Sequence, residues 1–63
     1  MTKEEFKTIR QEAGLTQQVL ADGLGVNIRG LQHWEMGDRP IPGPVANLME
    51  LLKGGKWKPK TEK

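Results

Sequence analysis

Apolar residues recur at helical intervals in four stretches of this chain of 63 residues. Phe6, Ile9 and Ala13 make a first stripe that predicts a buried helix face. Leu20 and Leu24 lie four apart in the second stretch, with the small Ala21 beside them to allow close helix approach. Leu31 and Trp34, three apart, point inward in the third. Val45, Leu48, Met49, Leu51 and Leu52 make the fourth.

Polar and turn residues bound each stretch. Thr2-x-x-Glu5 is a capping-box signature, so the first helix is expected to start at Lys3, and Gly14 is its natural stop. Thr16 reads as the N-cap of the second helix, which Gly25 ends, with Val26 tucking into the core. Asn27 reads as the N-cap of a third helix over about 28–36, closed by Gly37. Asp38 to Gly43 is a loop by composition, and Pro44 suits the first turn of a fourth helix ending near Lys53 and Gly54-Gly55. The expectation is a compact all-α domain of four helices, or five, over residues 1–53. Residues 54–63 read as a flexible basic tail. There is no internal repeat.

Composition narrows the function classes. A chain this short buries only about 60% of the surface its unfolded form exposes. With no cysteine it has neither disulfides nor thiolate metal ligands. Close helix packing or a partner must therefore supply stability. Serine, cysteine and tyrosine are absent, which excludes Ser and Cys nucleophile schemes. His33 has no second histidine to join it in a metal site. Glycines 23, 25 and 30 do not fit a dinucleotide fingerprint, and Gly54-Gly55-Lys56 lacks the spacing of a phosphate loop. The chain reads as no enzyme, with no metal and no cofactor. No apolar run approaches the ~20 residues of a membrane span, so the expected setting is the cytoplasm without membrane contact.

Charge is uneven. Residues 1–52 carry five basic and seven acidic side chains, a net of −2, whereas residues 53–63 carry five lysines against one glutamate, a net of +4. The sequence pI of about 9.2 thus reflects the tail and says little about the folded part.

The second and third helices, joined by a tight turn at Gly25, form a pair of the kind that lays its second helix in a DNA major groove. Gly14-Leu15-Thr16-Gln17, Leu20-Ala21, Leu24-Gly25-Val26, Leu31, Trp34-Glu35, Gly37 and Arg39-Pro40 occur in order. In this ordered set, over roughly residues 4–52, the chain resembles the Cro/CI-like (XRE) helix-turn-helix family of phage and bacterial regulators. The resemblance implies a lambda-repressor-like fold. Val19 departs from the exposed Glu common in the family, and Gly30 from its Ser or Thr. After the fourth helix the chain has a basic tail where the family often has an apolar fifth helix.

The resemblance also assigns candidate roles. Gln17 occupies a phosphate-binding position at the start of the second helix, where free N–H groups and the helix dipole attract anions. Gln18 and Asn27 are further phosphate candidates, and Arg39 a phosphate or minor-groove one. Ile28, Arg29, Gln32 and His33 are the candidate base contacts, facing away from Leu31 and Trp34. Arg29 can take the O6 and N7 of a guanine, and Ile28 can meet a thymine methyl. Arg10 and Glu35 are expected to pair structurally, fixing the third helix against the first. Trp34 reads as core. Trp57 is left with three readings: docked on the fourth helix, in a dimer contact, or free.

The expected function is sequence-specific DNA binding, with transcriptional repression at an operator by a homodimer. Two alternatives stay open. One is an antitoxin that autoregulates its operon and binds a toxin or other regulatory protein. The other is a helical protein-interaction module that uses Val19, Ile28 and His33 without binding DNA.

Overall fold

The computed structural model describes residues 1–59, and within them the chain folds into four α-helices. These are α1 (Lys3–Glu12), α2 (Gln17–Leu24), α3 (Ile28–Met36) and α4 (Gly43–Lys53). Side-chain capping explains three of the four starts. Thr2 Oγ1 accepts from Glu5 N at 3.1 Å, and Thr2 N donates back to Glu5 Oε1 at 3.1 Å. Thr16 Oγ1 accepts from Val19 N at 3.1 Å, and Asn27 Oδ1 from Arg29 N at 2.8 Å. Each cap satisfies an N–H that the helix leaves without a partner. α4 starts without a side-chain cap, and Pro44 in its first turn removes one such N–H altogether.

Gly25 ends α2 at φ 74°, a left-handed conformation that favours glycine. The chain then reverses, and Val26 N donates to Ala21 O at 3.0 Å. This reversal sets α3 across α2.

All four helices feed one core. Phe6 and Ile9 of α1 meet Leu20 and Ala21 of α2, Leu31 and Trp34 of α3, and Val45, Met49 and Leu52 of α4. Phe6 and Trp34 pack edge to face, with ring centroids 6.0 Å apart and planes at 69°. Fully burying an apolar side chain such as Phe6 or Leu31 contributes roughly 1.5–3 kcal/mol. A few such residues therefore decide the stability of a domain this small.

One expectation about the core, the burial of Ala13, needs correction. Ala13 is exposed, because α1 ends at Glu12 and Ala13 is its C-cap, beyond the buried stripe. Leu51 is 40% exposed, on the side of α4 away from Val45, Met49 and Leu52.

Residues 54–59, the described part of the segment expected as a flexible tail, lie against the helices. Gly55, at φ 75°, turns the chain back, and Lys56 N donates to Leu51 O at 2.8 Å. Trp57 is half-buried and packs against the core, and Pro59 is buried. The seat for Pro59 is Gly23, inside α2, where a Cβ would overlap the proline ring. The expectation for residues 60–63 lies outside the described residues. No helix among the described residues is long and apolar enough to cross a membrane.

Candidate nucleic-acid interface

The α2–α3 pair is held by a polar network that begins on α1. Arg10 Nε donates to Glu35 Oε2 at 2.7 Å, and Arg10 Nη2 donates to Glu35 Oε1 at 3.3 Å. Arg10 Nη1 donates to the Leu15 carbonyl at 2.9 Å. The guanidinium thus ties the end of α3 to α1 and to the α1–α2 turn. The two side chains are only 11% and 6% exposed. Such a two-pronged, charge-assisted contact fixes orientation as well as distance. Its net contribution to stability is modest, but loss of one partner strands a charge in a poorly hydrated place.

The network continues toward the outer edge of α3. Gln17 Nε2 donates to Glu35 Oε1 at 3.0 Å, and Gln32 Nε2 donates to Gln17 Oε1 at 3.3 Å. Gln17 is half-buried, and its amide is engaged inside the protein, which the expectation of a phosphate contact did not include. An amide nitrogen carries two hydrogens, so one remains for a phosphate oxygen. Gln18 is exposed and donates to Asp22 Oδ1 at 2.9 Å, one turn along α2. Asn27 is exposed, with its oxygen committed to the α3 cap.

The candidate base contacts are not equally placed. Arg29 and Gln32 are exposed on α3, and His33 is half-buried. Ile28, expected on a wet face, is half-buried and packs against the core. A helical side chain leans toward the N-terminus of its helix, and for a first-turn residue that direction leads back over the α2–α3 turn. What Ile28 can offer a thymine methyl is therefore its outer part only.

Arg39 is exposed in the loop after α3. The Lys3 side chain lies across Gly37 and brings a positive charge to the C-terminal end of α3, where the helix dipole favours it. His33 Nδ1 lies 3.2 Å from Asp38 Oδ2, a contact not anticipated from the sequence. The signal was available: a glycine cap at 37 folds the next residue back over the last turn of the helix. The Gln17–Gln32 link carried no comparable signal, since it depends on how α2 crosses α3.

Two capped helices, a glycine turn between them and a part-buried ion pair behind the second make up a helix-turn-helix. A family model described as helix-turn-helix matches residues 6–52. The chain belongs to that family, the Cro/CI-like regulators. No curated protein and no solved structure matches it.

Proposed function

We propose that this chain represses transcription by occupying a specific operator, with α3 in the major groove. In this reading Arg29 recognises a guanine, Gln32 and His33 meet neighbouring base edges, and Ile28 touches a thymine methyl. Gln17, Gln18, Asn27 and Arg39 hold phosphates. The observation that carries the reading is the combination of a fixed and a free side of α3. Glu35 is locked to Arg10 behind it, while Arg29 stands exposed two residues past the Asn27 cap.

One such module buries only about 600–1,000 Å² on DNA, which limits specificity. A two-fold homodimer on half-sites about 34–36 Å apart overcomes that limit. The rival reading, a protein-interaction module without DNA binding, is weakened by the packing of Ile28 on the core. That packing takes away part of the apolar surface a partner would use.

Salt titration of binding to duplex DNA tests the proposal. Phosphate contacts release counterions, so log affinity must fall linearly with log salt, by about 0.9 for each phosphate neutralised. Absence of binding to genomic or mixed-sequence DNA at low salt would refute it. A second arm separates roles: Gln17→Ala should weaken binding to all sequences alike.

A further inference from the structure

We infer that Asp38 holds His33 in a single tautomer and thereby sets which base atoms this side chain can recognise. The inference rests on the reading of α3 as the helix that enters the groove. It starts from the cap. Gly37, at φ 87°, ends α3 in the left-handed conformation, and Asp38 N then donates to the His33 carbonyl at 3.0 Å. The Asp38 carboxylate meets His33 Nδ1 at 3.2 Å. Asp38 is thus tied to residue 33 through both its backbone and its side chain.

An ionised carboxylate only accepts hydrogen bonds, so Nδ1 must carry the hydrogen. In the neutral ring, Nε2 then holds a lone pair and acts as an acceptor. Among the described residues Nε2 has no hydrogen-bond partner. The His33 side chain is 39% exposed, enough for a ligand to reach it.

In the major groove the base amino donors are N6 of adenine and N4 of cytosine. Guanine O6 and N7 and thymine O4 are acceptors there. An Nε2 acceptor pairs with the first set and sets lone pair against lone pair with the second. With the ring neutral, His33 therefore selects adenine or cytosine at the position it contacts. Arg29, four residues earlier on the same face of α3, carries only donors and selects guanine. Asp38 acts here as a positioning residue, since it works through His33.

His33 is the single histidine of the chain, so the imidazole nitrogen resonances of the uniformly ¹⁵N-labelled full chain belong to it alone. At about pH 8, where a neutral ring is read, wild type should show a hydrogen on Nδ1 and a bare Nε2. Asp38→Ala should shift the ring toward the Nε2–H form. On a panel of duplexes varied at one position at a time, wild type should prefer adenine or cytosine over guanine or thymine at one position by about 3–10-fold, the worth of one hydrogen bond. Both Asp38→Ala and His33→Ala should abolish that preference and leave the salt slope unchanged.

A hydrogen on Nε2 in wild type, or an unchanged ring in Asp38→Ala, overturns the positioning role whatever the DNA result. An Nδ1–H ring together with an undiminished base preference in Asp38→Ala overturns the specificity role. Failure of wild type to bind any duplex overturns the groove-reading account beneath both, and the tautomer measurement on the free protein tells that failure apart.

Discussion

Gly23 lies inside α2 and Gly30 inside α3, both on helical backbone. A Cβ at 23 would overlap the ring of Pro59, whereas a Cβ at 30 would meet no atom within 4 Å. Glycine in a helix interior costs about 0.5–1 kcal/mol relative to alanine. At 23 the fold uses the space, because the segment after α4 packs there. At 30 nothing among the described residues uses it. One side of the helix pair is thus shaped by the protein's own packing. On the DNA-reading account, the other is kept clear so that a groove can approach the α3 backbone closely.

Substitutions on the packed side should move stability, and those on the clear side should move binding. Glu35→Ala is expected to have the largest effect. It strands the Arg10 guanidinium and frees the end of α3, and should lower unfolding free energy by about 3 kcal/mol in urea titration. A loss below about 1 kcal/mol would mean that Arg10 finds water or another partner, and that the pair is no strut.

Gly23→Ala should come next. The added methyl evicts Pro59, an overpacking effect of about 1–3 kcal/mol that the gain in helix propensity only partly offsets. Release of the segment should also expose Trp57, read as increased acrylamide quenching of tryptophan fluorescence. If stability rises and quenching is unchanged, the contact between Pro59 and α2 is unimportant and the contrast between the two glycines collapses.

Gly30→Ala should have the smallest effect on stability and the opposite sign. It should raise unfolding free energy by about 0.5–1 kcal/mol, since the methyl meets no neighbour. On the groove-reading account the same change weakens DNA binding. Equal or tighter binding would show that close backbone approach at 30 plays no part.

How much of this was legible in the sequence follows the range of the interactions. The helix limits rest on local chemistry, namely the caps Thr2, Thr16 and Asn27 and the turns at Gly14, Gly25 and Gly37, and the structure has the helices there. The Arg10–Glu35 contact was suggested by family resemblance, and it exists at 2.7 Å. Contacts that depend on tertiary geometry were not legible. Ala13 continues a helical period, but the helix has ended by that point. Ile28 sits at an outward position by period, yet a first-turn side chain leans back onto the core. Lysine-rich composition does not reveal a glycine seat more than thirty residues earlier that receives a proline. Gln17 was legible as a polar residue at a helix start, and its bond to Glu35 was not, because that bond spans two helices.

The most direct test of the central claim, that the exposed side of α3 reads DNA sequence, is selection of bound sites from random duplex DNA by wild type and by Arg29→Ala. The account predicts a defined wild-type site. It also predicts that Arg29→Ala, with its fold stability within about 0.5 kcal/mol of wild type, loses selection for guanine at one position, worth roughly 1–3 kcal/mol, and keeps the rest. Uniform weakening at every position would demote Arg29 to a phosphate contact. No enriched sequence from wild type would contradict the account.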